Sequence, residues 1–210
     1  MTHEEKTINN GNRGKVFGRF IIYTLVVFSI TLTLPIIIEY GDFIVFSENG
    51  PIEWLQLILI FASVLLFAVD ARLEICGFKQ LFYILAFLMT IAGIREMDLI
   101  FDRIIPVLGW KLPVFLCIAA IVLVNLKYKN EIQIQIEQFI RTRSFALLWC
   151  GFIVAVPYAQ LVGHGNFLEL LMGDDYMRDY KRVIEELGEL MGYLLIMVGS
   201  LEAVLQRKED

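Results

Sequence analysis

The 210-residue chain is 58% hydrophobic and only 20% charged, where a soluble domain runs at about 45–50% apolar and about 25% charged. A formal net charge of −5 argues against a nucleic-acid partner. The apolar excess falls in long runs nearly free of charge, which leaves no room for a separate soluble domain. These runs predict an all-α fold, a polytopic membrane bundle of about six transmembrane helices.

In chain order, residues 1–15, with Asn9, Asn10, Gly11, Asn12 and Gly14, read as a flexible polar arm. The first apolar run, Val16–Ile38, has Pro35 near its far end. It is too long for a signal-peptide core and lacks a small-residue cleavage pattern, so it is expected to be retained. The second span covers Ile52–Val69. The third, Phe78–Ile94, is expected to continue as helix beyond the membrane. The fourth, Leu112–Leu126, is short, with Ile104–Gly109 as a candidate extension. The fifth, Phe145–Gly163, carries a kink signal at Pro157, and Leu187–Leu205 is the last. Residues 16–206 thus form one transmembrane domain, followed by a short tail at 207–210.

Orientation follows from Lys and Arg in short loops. Lys6, Arg13, Lys15 and Arg19 precede the first span, and Arg72 and Lys79 follow the second. Lys127, Lys129, Arg141 and Arg143 follow the fourth, and Arg207 and Lys208 end the chain. With six spans all of these share one side, which predicts both termini in the cytoplasm. The other side receives Glu39, Asp42, Glu48 and Glu53, together with Arg95, Arg103, Arg178 and Arg182. Within the cytoplasmic segment, Ile132, Ile136, Phe139 and Ile140 share a helical face between basic flanks. An interfacial amphipathic helix is the expectation there, with packing beneath the bundle as the alternative. Cys76, Cys117 and Cys150 lie in or beside spans and read as small apolar packing rather than a disulfide framework.

Carboxylates near hydrocarbon are costly and need partners, and three acidic groups map to the extracytoplasmic side. The first is Glu48-Asn49-Gly50-Pro51-Ile52-Glu53, a turn leading into a helix whose positive end stabilises Glu53. Below it Gln56, Ser63 and Asp70 recur at sevens, a polar stripe expected to face other helices. The second is Arg95-Glu96-Met97-Asp98, with Asp102 and Arg103 beyond. It reads either as a self-neutralising network or as Glu96 pointing inward beside Arg95. The third is Glu185-Glu186-Leu187-Gly188-Glu189. Gly188, Gly192 and Gly199 line one narrow face, which admits a close helix neighbour. Glu185 and Glu189 flank that face, Glu186 lies further round, and Tyr193 and Arg182 share their broad side. Three acids so close repel each other unless a cation or a proton intervenes. His164, between two glycines, is a weaker candidate ligand.

The expected site therefore has Glu53, Glu96, Glu185, Glu189 and His164 as candidate metal ligands, supported by Glu48, Arg95, Asp98, Glu186 and Tyr193. A carboxylate-rich set suits a divalent cation such as Mg²⁺, Ca²⁺ or Mn²⁺. One histidine cannot supply the paired Glu-x-x-His pattern of bundle di-iron sites. Gly-x-Ser-x-Gly, His-Glu-x-x-His, Cys-x-x-Cys and phosphate-loop patterns do not occur.

Taken together, Glu48-x-Gly50-x-x-Glu53, Arg95-Glu96-x-Asp98 and Glu185-Glu186-x-x-Glu189 resemble a group of small multi-pass inner-membrane proteins of bacteria with no assigned activity. The resemblance implies a bacterial inner membrane and that the three clusters belong together. Three functions are weighed. The first is a carboxylate site for a divalent cation or protons. The second is a membrane-embedded enzyme acting on a lipid or lipid-linked substrate, which predicts an apolar groove leading to the acids. The third is a scaffold whose acids only fasten helix ends, leaving no space. Transport is weaker, because the spans show no internal repeat and Asp70 and Glu202 leave no continuous acidic relay. Expected partners are the lipid bilayer and a second copy or another membrane protein.

Overall fold

A computed structural model describes residues 3–40, 43–47, 49–74 and 77–206. The expectations for Asp42, Glu48, Cys76 and the tail at 207–210 lie outside these residues. Every regular element among them is helical. The chain divides into two compact units, Met1–Phe43 and the residues from Ile44 on.

The first unit holds helix α1, His3–Tyr40. The helix runs through residues 3–15, a stretch whose composition is that of a polar arm. Once the apolar run has paid for nucleation, extending a turn costs little. Gly11 and Gly14 each weaken such a helix by only about 1 kcal/mol. Pro35 lies inside α1 without ending it. The hydroxyls of Thr24, Ser29 and Thr31 donate to carbonyls four residues back, at 2.9, 2.7 and 2.9 Å. Each of these hydroxyls is thereby satisfied within its own helix.

A 3₁₀ turn, Phe43–Phe46, and a tight bend follow. Gly50 caps α2 (Pro51–Leu73), with Pro51 at its first position. A Cβ on Gly50 would lie 2.6 Å from the Ser47 carbonyl, so only glycine fits the bend. Then follow α3 (Lys79–Glu96), α4 (Asp98–Ile104), α5 (Lys111–Lys127), α6 (Lys129–Phe139) and α7 (Arg143–Ile153). Helix α7 passes through a π turn at Val154–Tyr158, which accommodates Pro157, into α8 (Ala159–Val162). Helices α9 (Gly165–Met172) and α10 (Arg178–Gln206) complete the chain.

Among the described residues, four stretches are long and apolar enough to cross a membrane: Val16–Ile37, Ile44–Leu73, Arg143–Val162 and Arg178–Leu205. Helices α5 and α6, bent by 98° where they meet, together make a fifth candidate. The expected third span corresponds to α3, whose ends bring in Lys79, Arg95 and Glu96. Ile104–Gly109 does not extend the fourth span. The chain leaves helix at Ile105, and Gly109 adopts a positive φ of 51° before α5 starts at Lys111. Large apolar side chains such as Ile58, Leu65, Phe115 and Leu123 stand exposed along the outer helix faces. Water would penalise that much open hydrocarbon, whereas lipid would not.

Helices α2, α3, α7 and α10 form the core. The Gly188–Gly192–Gly199 face of α10 meets Ala155 and Ala159 of the α7–α8 stretch and Leu148 of α7. A Cβ on Gly192 would come within 2.4 Å of the Ala155 backbone nitrogen, so the two helices touch backbone to backbone there. As expected from their spacing, Gln56, Ser63 and Asp70 all face inward, with no more than 1% exposure. At the other end of α3, rings of Phe67, Phe78, Phe82, Phe139 and Phe145 pack with centroids 5.3–6.0 Å apart.

Helix α6 lies across that end, with part of the expected apolar face, Ile132 and Phe139, buried against it. Ile132, Gln135 and Phe139 are buried, while Ile136 and Ile140 are over 40% exposed. A hydrogen bond decides the rotation. Gln135 accepts from the Leu81 backbone N–H at 2.9 Å and donates to Gln80 at 2.6 Å, capping the start of α3.

Candidate functional site

Gly50, Pro51 and the first turn of α2 bring Glu53 back over its own start, where its carboxylate accepts from the Asn49 N–H. The dipole explanation for Glu53 is thus realised as a direct cap. The last turn of α3 supplies Arg95 and Glu96, α4 begins with Asp98, and the first three turns of α10 supply Glu185, Glu186 and Glu189. These residues, far apart in sequence, line one cavity of about 310 Å³, together with Gln160, Arg178, Lys181 and Arg182. The three acidic groups converge.

Neutral donors hold the inner acids. The Tyr193 hydroxyl donates to Glu96 at 2.8 Å. The Gln56 amide donates to the Glu186 carboxylate at 3.0 Å and to its backbone carbonyl at 3.1 Å. Gln160 donates to Glu185 at 2.9 Å and reaches Glu189 at 3.5 Å. At the rim Lys181 pairs with Glu185 at 3.5 Å. Burial raises the Glu96 carboxyl above the usual carboxylate range and Glu53 adds to the shift, while the Tyr193 hydrogen bond and Arg95 oppose it. Glu96 ends α3, two residues beyond the apolar stretch.

A second cavity, about 320 Å³ and mostly apolar, adjoins the first. The two share Arg95, Glu96, Gln160 and Glu189. It runs down between α3 and the α7–α10 pair past Ala92 and Phe152. Leu88, Met89, Phe152 and Ile196 also line a third space of about 470 Å³, which continues to the aromatic cluster at Phe139 and Phe145. The result is a groove with a charged head and a long greasy stem.

Several expectations need correction. His164 is exposed at the start of α9 and does not line the cavity, because Gly163 packs against Glu185 and turns the chain away. Glu186, expected further round, faces α2, since Gln56 reaches across to it. Tyr193 bonds to Glu96 on α3 rather than to the acids of its own helix. Among the described residues no three His, Cys, Asp or Glu side chains gather at metal-holding spacing. Their oxygens are spread around the cavity and turned toward amide and phenol donors.

Gln160 and Lys181 were not singled out from the sequence. Gln160 had a signal, being an amide in an otherwise apolar span at the same end as the acids. Lys181 resembled any loop charge. Comparison with protein-family models, curated proteins and solved structures finds no match.

Proposed function

We propose that the chain is a multi-pass inner-membrane protein whose cavity binds the polar end of a lipid or lipid-linked substrate from the extracytoplasmic side, with the hydrocarbon tail in the adjoining groove. In this reading α3 and α5 complete six crossings and both termini are cytoplasmic. One observation carries it: Arg95, Glu96, Gln160 and Glu189 line both the charged cavity and the apolar groove. An amphiphile is the one kind of ligand that fills both. Small-molecule sites usually occupy about 300–1,000 Å³ with apolar walls and a few converging polar groups, and the combined space is of that order. Space lined by charge also speaks against acids that merely fasten helix ends. The spread of the carboxylate oxygens favours a polar head group over a bare divalent cation.

Within this reading Glu189 is the group placed to act as general base. Among the described residues its hydrogen-bond partner is Gln160, at a long 3.5 Å, and it sits at the junction where a head group meets its tail. The test is native mass spectrometry of the full chain released from mild detergent. A lipid-sized adduct is expected on the wild type and should vanish in Ala92→Trp, which fills the groove without touching a charge. A bare protein, or an adduct indifferent to Ala92→Trp, would overturn the reading.

A further inference from the structure

Helix α3 runs unbroken from the charged cavity to the aromatic cluster, and one stripe of it lines open space throughout. Leu81, Leu85, Leu88, Ala92 and Arg95 recur at fours and threes, which puts them within about 80° of one another around the helix. Phe145, Trp149, Phe152 and Val156 keep the same spacing on the facing wall, from α7 into the π turn. Tyr193 and Ile196 of α10, both buried, make the floor. The second cavity and the third space share Leu88, Met89, Phe152 and Ile196, so they are two lengths of one trough. Its side is open, since Leu88, Trp149 and Phe152 are half exposed. At its far end stand Ile136, Phe139 and Ile140 of α6. That helix is bent by 98° from α5 and pinned to the start of α3 through Gln135.

From Leu81 to Arg95 the trough is about 21 Å long, at about 1.5 Å of rise per residue. A carbon–carbon bond of about 1.52 Å at an angle of about 111° advances about 1.25 Å along an all-trans chain. Resting on the amphiphile reading above, we propose that the trough measures one extended hydrocarbon chain of about 17 carbons, headed beside Arg95 and stopped by α6. The ligand class is thus a long-chain lipid, and Ile136 and Ile140 are its length-determining residues. One leaflet of hydrocarbon is only about 15 Å deep, half of a core of about 30 Å. The seated chain therefore passes the bilayer midplane, whereas the chain ends of free lipid in either leaflet gather near it.

The full chain in phosphatidylcholine nanodiscs, photolabelled with lysophosphatidylglycerol that carries a diazirine on its last carbon, tests this. A chain of about 8 carbons ends beside Leu88 and one of about 16 beside α6. The long probe should label the peptide holding Ile136 and Ile140, and the short one Leu88 and Phe152. Leu85→Trp, which blocks the trough between those depths, should cut the long probe's label on α6 about tenfold and spare the short probe's label. A chain of about 20 carbons should bind several-fold more weakly than one of about 16. The double variant Ile136→Ala with Ile140→Ala should remove that difference. A long probe whose end labels only the depth of free lipid, or a longer chain that binds the wild type equally well, would overturn the measured chain. The amphiphile reading then stands if Ala92→Trp abolishes the short probe's label. Labelling by both probes that is indifferent to Ala92→Trp would overturn both.

Discussion

Helices α2 and α10 carry acids at both ends, and the two ends treat them in opposite ways. At one end Glu53, Glu186 and Glu189 stand around an open cavity, partly exposed and facing neutral donors. At the other end Asp70 and Glu202 are 1% and 0% exposed, as are Ser144 and Ser200 at 0%. Arg143 approaches Glu202 to 4.0 Å, and the Ser144 hydroxyl donates to the Gly199 carbonyl at 2.8 Å. Residue type is shared, but solvation is not. A sealed acid is tied to the stability of the bundle, because its partner is left stranded when it goes. An acid facing empty space is available to a ligand.

The largest effect should come from the seam joining these ends. Gly192→Ala pushes a methyl into the Ala155 backbone, which cannot swing aside as a side chain could. Thermal denaturation in micelles should show a loss of about 3 kcal/mol. Gly18→Ala, with nothing near its added methyl, should leave stability unchanged or slightly raised. Equal behaviour of the two variants would mean that α10 and α7 are not in backbone contact.

The contrast between the ends sharpens next. Glu202→Ala should cost about 2–3 kcal/mol, since it empties a fully buried position in the bundle. Glu189→Gln should change stability by less than about 0.5 kcal/mol, the range of substitutions without a buried partner to strand. A reversed order would place the structural acids at the cavity and the ligand site at the sealed end.

Much of this was legible before any coordinates, and the part that was not has a physical cause. Small residues at 188, 192 and 199 announced a close neighbour, and the stripe Gln56–Ser63–Asp70 announced an inward face, because helical periodicity alone decides such questions. Convergence of the acids could only be inferred, since periodicity says which way a helix faces but not which helix it meets. Nor could spacing show that Gln135 of α6 would accept from the Leu81 N–H in the first turn of α3. His164 was drawn in by its residue type, yet Gly163 sets its direction. The groove had no sequence signal, because its walls are ordinary span residues.

The acids at the open end should also give the protein a characteristic pH response. Burial raises the Glu96 carboxyl above the ordinary value of 4.5, so the folded protein holds that proton more tightly than the unfolded chain does. The unfolded chain therefore binds fewer protons between the two values, and unfolding free energy falls as pH rises through that window. The contribution is fully present below the ordinary value and lost above the raised one. Glu53, Asp98 and Arg95 face the same group and modulate the slope. Unfolding midpoints should drop as pH rises above 4.5, and Glu96→Gln, which keeps an acceptor for the Tyr193 hydroxyl, should flatten that part of the profile. An unchanged slope in the variant would assign the response to other carboxylates.

The smallest signal probes how far down the groove a tail extends. Trp149 lines the deepest space with its ring half exposed, stacked against Phe145 at a centroid distance of 5.9 Å. Trp54 is exposed on α2 and Trp110 precedes α5, so replacing both with Phe leaves Trp149 as the sole indole. Lipids brominated near the tail terminus quench fluorescence only at contact. A tail seated in the groove should quench Trp149 at lower lipid concentration than bulk lipid contact does, and Ala92→Trp is unsuitable here because it adds an indole. Ala92→Phe fills the same neck without fluorescing in that range, and should remove the high-affinity part of the quenching while sparing the rest. Quenching indifferent to Ala92→Phe would mean that Trp149 meets only the surrounding bilayer, and the stem of the groove would then be an ordinary lipid-facing surface below a separate polar cavity.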